Sequence, residues 1–199
     1  MRIKLTTRAV AVATFVLAAT ITGCSTETDN AGIAAPSPSA AEPLLAEYGL
    51  EGLGTVEIID HLDRLAVEER PADLMASVRP SEVVVSSGDE QFNLEIPDDR
   101  FYLSVAPYVD QTHDCFHHSL TTCKGELASE EVRVQVVDET SGKVLVDEMR
   151  TTFENGFVGL WLPRDIEGTL TVTYDGKVGE VDFATDTDAP TCLTTLQLA

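Results

Sequence analysis

Positive charge is scarce in this sequence. Thirteen lysines and arginines stand against 34 aspartates and glutamates in 199 residues, a formal charge of −21 at pH 7. The shortage excludes a nucleic-acid partner, because affinity for a phosphate backbone comes mainly from Lys and Arg neutralising it. It disfavours anionic membrane surfaces and acidic substrates for the same reason. Catalytic signatures are missing as well. There is no Cys-x-x-Cys pair of the kind thiol oxidoreductases carry, no Gly-x-Ser-x-Gly elbow, and no glycine-rich phosphate loop. No Ser-His-Asp order suggests a hydrolase, and no long internal repeat is present. Asp182, Asp186 and Asp188 are spaced loosely like a calcium loop but lack its central glycine and terminal glutamate, so they read as a solvated loop. The apolar run Ala9–Ala19 is too short to span a bilayer as a permanent helix.

What is present reads as a globular chain of one domain or two small ones, with 43% hydrophobic and 24% charged residues. Its front end is an address. Arg2, Lys4 and Arg8 precede the apolar run without any acid, and the run leads to Ile21-Thr22-Gly23-Cys24. This resembles the lipobox of bacterial lipoproteins, which implies removal of residues 1–23 and a lipid on the Cys24 sulfur. Acylation at more than one position would hold the protein firmly at the extracytoplasmic face of a membrane, where a single chain binds only marginally. Ser25–Pro43 is small, polar and proline-containing, and reads as an extended tether. The folded part is expected from Leu44.

Two regions of different character follow. Val56, Ile59, Leu62 and Leu65, widened by Ile58, predict a helix over Thr55–Glu69, capped by Thr55 and stopped by Pro71. A second short helix is expected over Ala72–Val78, ended by Pro80. His61 reads as structural or solvent-facing. From Glu82 the apolar period becomes two: Phe101, Leu103 and Val105 alternate, as do Val132, Val134 and Val136. Val137–Val144 carries turn residues between alternating runs, and Asp175-Gly176 does the same between Leu170–Tyr174 and Val178–Val181, which predicts two hairpins. Gly156, Gly159, Trp161 and Pro163 suit a packed turn, with Trp161 in the core. The expected fold is α+β: a short helical region over 44–80, then a small antiparallel β-sheet region, sandwich or half-barrel, over 81–199.

The cysteines carry the chemistry. Setting aside Cys24 leaves Cys115, Cys123 and Cys192, an odd number in a compartment that favours disulfides. Either one disulfide forms and one thiol is left over, or a metal keeps all three reduced. Three of the four histidines, His113, His117 and His118, lie between or beside Cys115 and Cys123. Thiolate with imidazole suits copper or zinc, and a sulfur-rich set favours Cu(I). The Cys-x7-Cys spacing matches no common zinc signature.

Several blocks resemble the CueP family of periplasmic copper-binding proteins. They are Phe101–Val109, Gln111-Thr-His-Asp-Cys115, His118–Cys123, Asn155-Gly-Phe157 with Gly159–Asp165, and Thr191–Leu198. The resemblance runs from about Tyr48 to the C-terminus and is densest from Phe101. It implies copper binding in the bacterial cell envelope through three cysteines, here Cys115, Cys123 and Cys192. It further implies a part in copper resistance and supply of copper to an exported Cu/Zn superoxide dismutase. The lipobox departs from a freely diffusing form.

On this reading the cofactor is copper as Cu(I), held by the three cysteines, with His113, His117 and His118 as further candidate ligands. Cys115, flanked by histidines, is expected to be the reactive sulfur. Cys123 and Cys192 lie in similar Leu/Thr contexts and are the expected disulfide when copper is absent. No catalytic residue is assigned, and thiol-driven copper reduction would be stoichiometric for want of an electron source. An envelope thiol oxidoreductase and a structural domain with one disulfide are the alternatives. Oligomeric state, a homodimer included, is left open by the sequence.

Overall fold

The computed structural model describes residues 38–199, with side chains from Ala41. The leader 1–23, the lipidation residue Cys24 and the tether as far as residue 37 lie outside the described residues.

Helix begins earlier than the composition suggests. α1 covers Pro38–Glu47 with Pro43 inside it, and Ala41, Leu44 and Leu45 are buried. The last part of the expected tether is therefore a helix with a buried face. α2 covers Thr55–Arg64 and buries Ile58, Ile59, Leu62 and Asp63. Each fully buried aliphatic side chain there contributes about 1.5–3 kcal/mol. Gly54, rather than Thr55, is the residue before the first turn, and its N–H donates to the Glu57 carboxylate at 2.7 Å. The helix stops well before Pro71: Leu65 is extended, and only a 3₁₀ turn, Val67–Glu69, follows.

The expected helix over Ala72–Val78 is instead strand β1 (Met75–Val78), which pairs antiparallel with β2 (Glu82–Ser87). β2 pairs in turn with β3 (Glu90–Glu95). Pro71 and Pro80 bracket the segment without deciding its type; the decision comes from pairing across the β1–β2 turn, which local periodicity does not register.

Among the described residues, ten strands form three sheets. The first is β1-β2-β3. The second joins β4 (Phe101–Val105) to β7 (Val158–Leu162) antiparallel and to the short β10 (Cys192–Leu193) parallel. The third has the order β6-β5-β8-β9, from β5 (Glu131–Asp138), β6 (Lys143–Thr151), β8 (Glu167–Tyr174) and β9 (Lys177–Ala184). Both predicted hairpins are present as β5–β6 and β8–β9. The second turns on Asp175 and Gly176, both at positive φ, the pair of conformations a two-residue type I′ turn requires. The α+β reading holds, with the helices ahead of mostly antiparallel sheets and no barrel closing among the described residues.

Two apolar cores result. One lies among the second and third sheets, filled by Phe101, Leu103, Val134, Val136, Leu160 and Leu170. The other joins α1, α2 and the first sheet, and takes Tyr102 and Leu120 from beyond them. β4 is buried along its whole length because it serves both: Phe101, Leu103 and Val105 pack into the first core and Tyr102 into the second. Trp161 is half-buried against Tyr102 and donates to Asp60 at 3.0 Å. A third small cluster contains Ala106, Cys123, Phe157 and Cys192, with Cys115 against it.

Candidate metal centre

The segment after β4 has almost no regular structure, yet it is pinned at several points. Val78 N–H donates to His118 O and Leu120 N–H to Ala76 O, both at 2.8 Å, so residues 118–120 run beside β1. Thr191 ties the far side: its hydroxyl donates to Val78 O at 2.7 Å and accepts the His118 N–H at 3.0 Å. The Thr191 and Cys192 N–H groups both reach Phe116 O. These contacts bring Cys192, on β10, against the 115–123 loop.

A glycine pair fixes the loop's return. A Cβ on Gly125 would lie 2.5 Å from Gly156 O, and Gly156 itself has φ +82°. Only glycine permits that approach. Gly125 N–H donates to Asn155 O across it at 2.6 Å. Arg70 donates to Cys123 O at 2.8 Å, while its Nε and Nη2 are buried without partners.

The three thiols are free and adjacent. Cys115 Sγ and Cys123 Sγ are 3.6 Å apart, and Cys192 Sγ is 3.7 Å from His118 Nδ1. Two groups of ligand atoms fall within 4.8 Å of one another: His113, Cys115 and Cys123, and His118, Cys123 and Cys192. Of the candidates named from sequence, the fold thus gathers the three cysteines with His113 and His118. His117 is in neither group; partial burial and Arg79 lower its pKa, and its Nδ1 is buried without a partner. His61 is solvent-exposed on α2.

His118 is held from behind by a carboxylate that the sequence reading missed. Its Nε2 lies 2.8 Å from Asp63 Oδ1, and both side chains have no exposure. Asp63 also accepts from Tyr102 OH, from Asn155 Nδ2 at 2.8 Å and from Ser104 Oγ at 3.3 Å. Burial would raise the Asp63 pKa, but the His118 charge and these hydrogen bonds outweigh it and hold the carboxyl below its usual value. Burial likewise opposes charge on His118, yet Asp63 on one side and Cys123 on the other raise its pKa to about 9. With Nε2 turned to Asp63, Nδ1 faces the sulfurs. Such carboxylate–histidine pairs orient metal-binding imidazoles.

The sulfurs are unequal. The Cys115 and Cys192 thiols and the nearby His118 lower the Cys123 pKa against the opposing effect of burial. Donation to Cys123 holds Cys115 up at about 12, and hydrogen bonds to the other two sulfurs raise Cys192. The expectation that the flanking histidines lower the Cys115 pKa is not met: Cys123 beside it and burial raise it.

The donor set suits a soft ion, with three sulfurs and imidazole nitrogen and no carboxylate pointing in. Its spacing suits one too. Bonds of about 2.0–2.3 Å in a trigonal arrangement separate donors by about 3.5–4.0 Å, against the 3.6 and 3.7 Å found. An open groove of about 660 Å³, lined by His113, Thr122, Cys123, Lys124 and Glu126 among others, leads to it from solvent.

A family model described as periplasmic copper-binding protein CueP matches residues 57–197. The chain belongs to the CueP family. It is therefore a member of a periplasmic copper-binding family, and the Cys/His cluster is its candidate metal site. A solved structure, "Crystal Structure of S.CueP", is similar over 82% of this chain and 100% of that one, at 40% identity and a TM-score of 0.76. No curated protein matches the sequence. Within this CueP-family chain, Cys115, Cys123, His118 and Cys192 all fall inside the matched span, and so does Asp63, which no sequence motif had flagged.

Proposed function

We propose that this protein captures copper as Cu(I) in the bacterial cell envelope, holding it with Cys115, Cys123, Cys192 and the Nδ1 of His118. The observation that carries the proposal is the gathering of three free cysteines, Cys123 buried among them, beside an imidazole already oriented by Asp63. A lipid on Cys24 keeps the protein at the membrane, with the tether giving the copper-binding body reach. The captured ion is kept from free circulation, which contributes to copper resistance, and is passed to an exported Cu/Zn superoxide dismutase. The protein binds and hands on; it does not turn over a substrate.

Capture is gated by oxidation, because a disulfide offers no thiolate to the ion. Cys115 and Cys123, 3.6 Å apart, are in reach of such a bond with little movement, as an alternative to the Cys123–Cys192 pairing. X-ray absorption of the copper-loaded reduced protein tests the ligand set. A first shell dominated by sulfur with one nitrogen is expected, and a shell of nitrogen and oxygen alone overturns the reading.

A further inference from the structure

We propose that the centre has an outer and an inner position, and that His113 is a transient ligand that receives copper in the groove before the ion is locked by His118 and Cys192. The proposal rests on the copper–thiolate reading above.

The two ligand groups share Cys123 but differ in access. In the outer group His113 and Cys115 are half-buried; in the inner group His118, Cys123 and Cys192 are all buried. His113 and Cys123 line the groove that opens to solvent, whereas the inner residues other than Cys123 do not. His113 Nε2 is buried without a hydrogen-bond partner, a ring atom left unsatisfied where most buried polar atoms are paired. His118 has no exposure and is clamped at Nε2 by Asp63. The outer position is reachable but weakly supported, and the inner one is rigid but sealed.

An ion arriving along the groove meets His113, Cys115 and Cys123 first. Cys123 belongs to both groups and Cys115 Sγ lies 3.6 Å from it, so this sulfur pair can stay with the ion. Passage inward breaks the bond to His113 and forms bonds to Cys192 Sγ and His118 Nδ1, while Cys115 and Cys123 stay attached. Copper remains Cu(I) and no electron moves. The proton displaced from the Cys192 thiol, with any carried on His118 Nδ1, leaves to water in the groove. Because one sulfur pair holds the ion throughout, it never has to be free.

Stopped-flow exchange of Cu(I) between a chromogenic chelator and the reduced full-length protein tests this. His113→Ala is expected to slow loading about tenfold and to slow removal by the same factor, as loss of a relay acts in both directions. His113→Gln, which keeps the side chain's bulk, should behave alike. Loading at the wild-type rate overturns the proposal, as does slowed loading with unchanged removal, which would make His113 a ligand of the final state. Cys192→Ser separates the two claims. If it binds Cu(I) as tightly as wild type, the copper–thiolate reading itself fails; if it loses tight binding while His113→Ala loads normally, only the relay fails.

Discussion

Near the end of α2 the chain buries a carboxylate, and four side chains from three other parts of the sequence converge on it. Asp63 holds His118, Tyr102, Asn155 and Ser104, so its removal leaves an imidazole and a phenol without their acceptor in a sealed interior. Breaking one side of a buried pair costs about 3–5 kcal/mol. Asp63→Ala should lower stability by that amount in urea denaturation. Copper affinity should fall about ten- to a hundredfold, as when an outer partner of a metal-binding histidine is lost. An unchanged urea midpoint would mean that the pair contributes nothing. Cys115, Cys123, Cys192 and His118 were legible as candidates because cysteine and histidine are rare and carry their chemistry in any context. Asp63 was not. An aspartate between Leu62 and Arg64 on an amphipathic helix reads as solvent-facing, and the only hint was its place four residues after Ile59, on the buried stripe.

Among the elements, the loop from Val109 to Cys123 depends on two anchors. The Glu126 carboxylate accepts the N–H groups of Val109, Asp110 and Gln111. Desolvation opposes its charge, but the three donors together outweigh it and hold its pKa below the usual value. A depressed carboxyl contributes above its unfolded pKa, about 4.3, and the contribution is lost as pH falls through the lower folded value. Amide exchange at Val109, Asp110 and Gln111 should therefore accelerate on acidification below about pH 4.3, once the intrinsic rate is allowed for, and Glu126→Gln should show the same acceleration at neutral pH. Equal protection in the variant would remove Glu126 as the anchor. Gly156→Ala tests the other anchor. A Cβ there meets Gly125 backbone at 2.6 Å with φ at +82°, so destabilisation of about 2 kcal/mol or more is expected. The hairpins were legible because Asp175-Gly176 and the 138–143 turn are local signals. β1 and α1 were not: β1 is decided by its pairing with β2, and α1 by packing of Leu44 and Leu45 under a proline- and serine-rich composition.

For the whole molecule, the sheets matter through what they bring together. The three thiols come from a loop beside the first sheet and from a strand of the second, and the histidine that faces them is oriented from a helix. None of these distances is contained in the Cys-x7-Cys spacing, and Cys192 lies 74 residues from His118 along the chain. The motif blocks made the family legible; the two cores that meet along β4, and hence the burial of the site, were not, because residues at both parities of that strand are buried. On the proposed reading, redox state then sets whether the assembled molecule takes up copper. Oxidation of any two cysteines removes two of three sulfurs and should reduce Cu(I) affinity by orders of magnitude, reversibly on reduction.

The central claim is that three reduced cysteines form a tight Cu(I) site. Anaerobic titration of Cu(I) into the reduced protein, in competition with a chromogenic chelator, tests it most directly when repeated after oxidation and with Cys115→Ser. The account predicts near-stoichiometric withdrawal of copper from the chelator by the reduced protein, lost in the other two samples. Failure of the reduced protein to compete, or equal competition by the oxidised one, would contradict it.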